Sequence, residues 1–321
     1  MARPSLQSSP GCALSSGGGT LIHPSVVLTA AHTVAWTEWS LKVRAGEWDT
    51  QSIKEPVRDA DGTTQKALAS VRPVTWMARP SLQSSPGCAL SSGGGTLIHP
   101  SVVLTAAHTV AWTEWSLKVR AGEWDTQSIK EPYPYQDRDV ARSEMHKDFN
   151  NGNLFYDISL LFLSEPMDLA PNVQLACLPP PRVKPSAGTR CFATGWGKDR
   201  FSKTGHYHVI LKKVELPVVD YYTCQEQLRK TRLGAFFELH SSFMCAGGEK
   251  DRDTCKGDGG SPLSCPIEDE PGRFAQTGIV AWGIGCGDNG TPGVYVDVAN
   301  LRNWIDDKVI SKGYDTTVYS Y

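Results

Sequence analysis

Seven of the nine cysteines fall between Cys177 and Cys286, and no two of them stand closer than ten positions apart. No Cys-x-x-Cys pair occurs and no histidine interleaves closely, which argues against a zinc site. Set among short β-prone runs rich in Gly, Trp and Tyr, these cysteines read as the structural disulfides of a secreted protein. The odd total leaves at least one thiol over, or pairs it between chains. The opening residues Met1-Ala2-Arg3-Pro4-Ser5 run into polar Gln7-Ser8-Ser9-Pro10. They hold no apolar leader core, which taken alone would suggest the cytoplasm; the cysteines outweigh it. The formal charge of −2 over 321 residues, with no long run of one sign, argues against nucleic acid as the main partner. No stretch of 18 apolar residues occurs, so no membrane span is expected.

Residues 1–56 recur unchanged as 77–132. Structural repeats that stack are short and drift in sequence, and this unit does neither. The first copy, with His32, leads into the polar run Val57-Arg58-Asp59-Ala60-Asp61-Gly62; the second copy, with His108, continues into the rest of the chain. Residues 1–76 therefore read as a duplicated partial segment plus linker. A gene-model artefact or partial exon duplication is favoured over an extra half-module, which would leave strand edges unpaired. Residues 77–321 form the credible domain.

That domain reads as many short strands. Gly94–Ile98, Val102–Ala106, Leu117–Gly122, Ile158–Leu163, Phe192–Gly197, Val209–Leu216, Ala275–Trp282 and Gly293–Val296 are β-prone runs bounded by turn residues. One amphipathic helix closes the chain, with Val298, Leu301, Trp304, Ile305 and Val309 on one stripe and Asp306 and Asp307 off it.

Four motifs stand in order along these strands. Thr105-Ala106-Ala107-His108 comes first, and Phe155-Tyr156-Asp157-Ile158-Ser159-Leu160-Leu161 places Asp157 49 residues beyond His108. Gly195-Trp196-Gly197 and Asp253-Thr254-Cys255-Lys256-Gly257-Asp258-Gly259-Gly260-Ser261-Pro262 follow. Over roughly Trp76 to Ile310 the chain resembles the trypsin-like serine proteases of chymotrypsin fold. The resemblance implies an all-β, double six-stranded barrel with a C-terminal helix. It makes His108 the general base and Asp157 the residue that orients it. The serine that should attack is Gly259, which has no side chain to acylate. Ser261, two places on and before Pro262, does not rebuild that geometry. The amides of Gly257 and Gly259 remain as oxyanion-hole donors. Asp253 matches the acid at the base of the specificity pocket, with Ala281, Gly283 and Gly293 along its walls, so a basic side chain would dock there.

The same resemblance implies the disulfides Cys191–Cys265, Cys224–Cys245 and Cys255–Cys286. A fourth family bridge is lost at both ends, at Gly93 and Thr109, which is expected to loosen the loop beside His108. Cys177 matches a position that often ties the domain to an upstream segment; Cys88 or Cys12 are candidate substitutes for the missing partner. Asp258 matches the acid that pairs with a new N-terminal amine in active relatives, and no Ile-Val-Gly-Gly junction precedes Trp76. No cofactor is required. Calcium is the one candidate ion, because the family sometimes binds it in the loop holding Glu123, Asp125 and Glu131; a solvated acidic loop is the plainer reading. Asn289-Gly290-Thr291 is a glycosylation sequon weakened by Pro292.

With glycine in the nucleophile slot, the chain is similar to the clip-domain serine protease homologues of arthropods. Supporting stretches are Val119–Thr126, His146–Asn150, Asn153–Asp157 and Leu228–Gly234. That group is secreted into the haemolymph, inactive and immune-related. The resemblance implies a binding cofactor or regulator whose partners are prophenoloxidase or its activating protease. The alternatives are an active endopeptidase with Arg/Lys specificity and a decoy that binds protease inhibitors.

Overall fold

The computed structural model describes residues 19–23, 26–29, 77–85, 88–91, 93–111, 117–128, 130–202, 204–268 and 270–321. The chain divides into two compact units, and the second, Arg72–Ser84 with Leu90–Tyr321, carries every candidate site residue. In the first unit, β1 (Gly19–His23) and β2 (Val26–Thr29) pair as a two-stranded hairpin. The remainder of the duplicated segment 1–76 lies outside the described residues.

In the second unit, β3 (Met77–Ser85) pairs with both β5 (Gly95–His99) and β7 (Leu117–Ala121). Between them run β6 (Val102–Thr105), β9 (Ser159–Leu163) and β8 (Gln136–Met145), all antiparallel. The ring β3-β5-β6-β9-β8-β7 is thus closed by the β3–β7 pairing and holds six strands. The short β4 (Cys88–Ser91) straddles the division between the two units. The second barrel is closed in the order β10-β11-β12-β15-β14-β13. Its strands are β10 (Arg190–Gly195), β11 (Lys212–Val219), β12 (Phe243–Gly247), β13 (Pro262–Pro266), β14 (Phe274–Trp282) and β15 (Pro292–Asp297). Helix α1 (Tyr221–Arg229) connects β11 to β12, and α2 (Val298–Ser311) follows β15. This is the double barrel with a terminal helix expected from the sequence.

Successive residues of a strand face opposite ways, and in β5, β6 and β9 both faces are buried. Leu97, Val103, Leu161 and Leu163 fill the barrel interior. Their neighbours Ile98, Val102, Leu104, Leu160 and Phe162 point outward into a second cluster that also holds Phe243, Ile279, Val294 and Val296. That seam joins the two barrels, and α2 closes it with Val298, Leu301, Ile305 and Val309. Two-sided burial explains why Leu160–Leu163 is continuously apolar rather than alternating.

The expected strand at Val209–Leu216 begins three residues late. Val209 O instead accepts from Thr126 N, and Leu211 N donates to Trp124 O. The apolar residues 209–211 thus link a loop of the first barrel to the second, and the ladder starts at Lys212. Helix α2 is capped at its start, where the Asp297 side chain accepts from Asn300 N. Buried Arg302 donates to Leu178 O at 3.2 Å, Pro179 O at 2.8 Å, Ser320 Oγ at 2.7 Å and Asp306 Oδ1 at 2.8 Å. Tyr319, itself fully buried, donates its hydroxyl to the same Asp306.

Candidate functional site

The site is assembled where the two barrels meet. His108 sits in a 3-10 turn, Ala107–Thr109, directly after β6. Asp157 precedes β9, in a segment where Leu154 and Tyr156 adopt positive φ. The His108 backbone N–H donates to Asp157 Oδ1 at 2.7 Å, and His108 Nδ1 lies 2.6 Å from Asp157 Oδ2. Asp157 is fully buried, while the imidazole keeps about a quarter of its surface exposed. This two-point attachment fixes the ring with Nε2 turned toward the loop 257–260.

A Cβ built on Gly259 would stand 2.6 Å from His108 Nε2 and 3.1 Å from Cε1. The imidazole therefore encroaches on the space a side chain at 259 would occupy. A base and its nucleophile need heavy-atom separation of about 2.6–3.2 Å between the reacting atoms themselves, one bond further out than Cβ. Ser261 does not enter this space: it is 1% exposed, and its hydroxyl packs against Gly94. Gly259 O accepts from Gly94 N at 2.8 Å, tying the loop to the approach of β5. Gly257 has φ +103°, and a Cβ there would strike the Tyr207 ring at 2.6 Å, so this turn requires glycine.

Gly93 and Thr109, where the family bridge is missing, face each other: a Cβ on Gly93 would meet Thr109 Cγ2 at 2.8 Å. Thr109 Oγ1 donates to Ala106 O at 2.7 Å and lies 3.2 Å from Thr105 Oγ1, which donates to Gly94 O at 2.7 Å. Buried hydroxyls link Thr109 to Gly94, the neighbour of Gly93, beside the place the family bridge would occupy.

Asp253 lies at the base of a cleft of about 210 Å³ whose walls include His108, Gly257, Gly259, Ala281, Trp282, Gly283 and Gly293. The sequence-derived base, oxyanion-hole and pocket positions thus share one concavity; Asp157 stands behind His108. Asp253 accepts from Thr254 N at 2.8 Å and from Gly287 N at 3.1 Å. Burial pushes its pKa up to about 6, opposed by those two amides. Tyr295, fully buried beneath it, has its phenol 3.2 Å from Thr254 Oγ1, and burial holds that phenol well above its ordinary pKa. Tyr295 escaped the sequence reading, although Gly293-Val294-Tyr295 was in view as a strand. A second cavity of about 200 Å³ beside Pro179, Pro266 and Tyr321 shares none of these groups.

Asp258 is buried and accepts from Gly197 N at 2.8 Å and Cys255 N at 2.9 Å. The close fit of Gly195 and Gly197 around its carboxylate explains the glycines of Gly195-Trp196-Gly197. No cationic side chain reaches Asp258 among the described residues, and burial raises its pKa. Disulfides join Cys191 to Cys265, Cys224 to Cys245 and Cys255 to Cys286. Cys177 is a free thiol, 3.3 Å from Arg273 Nη2. The carboxylates considered for calcium have internal partners: Glu123 Oε2 pairs with Arg120, Asp125 Oδ1 accepts from Gln127 N, and Glu131 Oε1 accepts from the amides of Trp124 and Asp125. No metal-holding group of three or more His, Cys, Asp or Glu side chains occurs among the described residues.

Two barrels with an imidazole–carboxylate pair at their junction and an acid at the base of the adjoining cleft define the serine protease fold, here with glycine facing the base. The chain belongs to the trypsin family: the Trypsin family model matches residues 64–305. Within that family it stands with the clip-domain serine protease homologues. It is 72% identical to phenoloxidase-activating factor 2 of Galleria mellonella over 229 residues, covering 71% of this chain and 75% of that protein. It is 43% identical to the inactive CLIP domain-containing serine protease A28 of Anopheles gambiae, over 68% of this chain and 56% of the relative. It is 44% identical to the inactive CLIP domain-containing serine protease A3 of Aedes aegypti, over 68% of this chain and 46% of the relative. The chain thus spans about half the length of the two mosquito proteins.

Proposed function

We propose that this chain is a catalytically inactive serine protease homologue that works by binding, as a cofactor or regulator of an extracellular cascade leading to phenoloxidase activation. The observation that carries the reading is Gly259 facing His108: the base is held ready, and the residue in the nucleophile slot has no side chain to attack with. The names of the similar proteins, a phenoloxidase-activating factor and inactive CLIP-domain proteases, support the cascade role. Its partners in this reading are prophenoloxidase or the protease that activates it. Three disulfides suit secretion into haemolymph.

The purified protein is expected to leave Arg-containing chromogenic substrates uncut and to resist a fluorophosphonate probe. Added to prophenoloxidase and its activating protease, it is expected to change the yield of phenoloxidase activity. Substrate turnover that disappears in His108→Ala would sink the inactive reading, and an unchanged phenoloxidase yield would sink the cascade role. One observation favours a second reading, a decoy for inhibitors or substrates: Asp253 still lines the cleft. Loss of phenoloxidase stimulation in Asp253→Asn would favour a role for that pocket.

A further inference from the structure

Phe236 is 98% exposed, more than any other large apolar side chain among the described residues. It is the third residue of a β-turn closed by Phe237 N donating to Gly234 O at 3.1 Å. Such turn positions ordinarily carry small or polar residues, and at this exposure the Phe236 ring packs on nothing in the fold. The loop beneath it is nonetheless pinned. Cys224–Cys245 closes its base. Arg229 Nε donates to Phe237 O at 2.8 Å, and Leu239 N donates to Gln225 Oε1 at 2.9 Å. The Tyr221 hydroxyl donates to Leu239 O. The neighbouring ring, Phe237, stands edge-on to Trp282 at 6.1 Å, and Trp282 lines the cleft. Lys230 and Arg232 are exposed on the same loop, and neither has an ion-pair partner among the described residues; Arg229 is engaged by Glu226 at 2.7 Å.

We propose that the tip of this loop is the contact through which the protein holds its partner. The partner surface that fits it is a protein with an apolar pocket for Phe236, rimmed by carboxylates for Lys230 and Arg232. An aromatic ring presented on a braced loop loses little freedom on docking, which is how a few residues come to dominate an interface. Lys230 and Arg232 outnumber exposed Glu238 on the same loop, and that positive balance sets the charge of the complementary surface. The cleft makes the opposite demand: Asp253 at its base calls for a cation. Tip and cleft therefore engage different groups, and the tip does not depend on the relic of the catalytic site.

This inference rests on the reading that the protein acts by binding, and the test separates the two. The full chain is titrated into the reaction of prophenoloxidase with its activating protease, and the concentration giving half-maximal change in phenoloxidase yield is read. Phe236→Ala is expected to raise that concentration at least about tenfold. The double variant Lys230→Glu with Arg232→Glu is expected to raise it comparably at low salt. Both should melt with the wild type, since these side chains support no packing. Tyr133→Ala, an exposed aromatic on the first barrel, is expected to match the wild type. No effect from the wild-type chain would overturn the cascade reading. A wild-type effect that Phe236→Ala retains within twofold, or that Tyr133→Ala loses equally, would overturn the loop contact alone.

Discussion

At residue scale, the decisive contact is between an absent side chain and a ring that leans into its place. Because Asp157 holds His108 at two points, the ring cannot retreat freely from a new Cβ 2.6 Å away. Gly259→Ala is therefore expected to cost about 0.5–1.5 kcal/mol, the range for a side chain forced off its rotamer, read as a lower denaturation midpoint. A midpoint equal to wild type would show that the ring swings aside at no cost. Asp253 makes a second residue-scale prediction. Its folded pKa, about 6, is above the ordinary carboxylate value of 3.8, so the folded protein holds this proton more tightly than the unfolded chain does. Ionised Asp253 thus lowers stability above pH 6, and the penalty fades as pH falls toward 4. The stability of Asp253→Asn relative to wild type should rise by about 1–3 kcal/mol between pH 4 and pH 7.5. A difference that stays flat across that window would contradict the assignment. The motif around Asp253 reveals its place in a pocket; its proton affinity depends on buried neighbours that only folding assembles.

At the scale of elements, helix α2 and its partners illustrate what sequence periodicity can and cannot reveal. Val298, Leu301, Trp304, Ile305 and Val309 declare a buried stripe at helical spacing; four are buried, and Trp304, half-buried, packs against the same cluster. Arg302 hides its role, because a charged residue on such a helix reads as solvent-facing until the carbonyls of Leu178 and Pro179 arrive from far along the chain. Arg302→Ala should cost about 2–4 kcal/mol, since it strands those carbonyls and frees Asp306; chemical denaturation measures it, and a loss under about 1 kcal/mol would rule it out. Helix α1 was not anticipated, as only Cys224 and Leu228 are buried along it. Its start is signalled by Asp220, whose carboxylate accepts from the amides of Tyr222 and Thr223. Strand β8 was also missed, because its charged alternation puts no residue fully inside. Strand β12 was missed although Phe243 and Cys245 are buried. The strand placed at Val209 shows the opposite error: residues 209–211 bond through their backbone to the Trp124–Thr126 loop and do not extend the ladder.

At the scale of the whole molecule, the duplicated front half presents one local structure in two settings. β1 and β2 pair Thr20 with Leu28, Leu21 with Val27 and His23 with Val26; β5 and β6 repeat that register as Thr96 with Leu104, Leu97 with Val103 and His99 with Val102. The hairpin is encoded locally, whereas the barrel requires β3 and β9, and only the second copy has them as partners among the described residues. A fragment of residues 64–321, starting where the family match begins, is expected to melt within about 3 °C of the full chain, a shift near 1 kcal/mol for a domain this size. A larger drop would give the first copy a structural role. The double barrel itself was legible through its motifs, but the seam of Ile98, Leu104, Phe243 and Ile279 was not, since it joins residues no local pattern relates. The placement of the crosslinks has one more consequence. Among the described residues the three disulfides all lie at or beyond Cys191, while the turn carrying His108 is closed by threonine hydroxyls. A reductant that opens Cys224–Cys245 and Cys255–Cys286 should therefore loosen the Phe236 loop and the pocket, while the hydroxyl bracing beside the imidazole–carboxylate pair has nothing to reduce, so that the redox history of these bridges is recorded in the surface offered to partners.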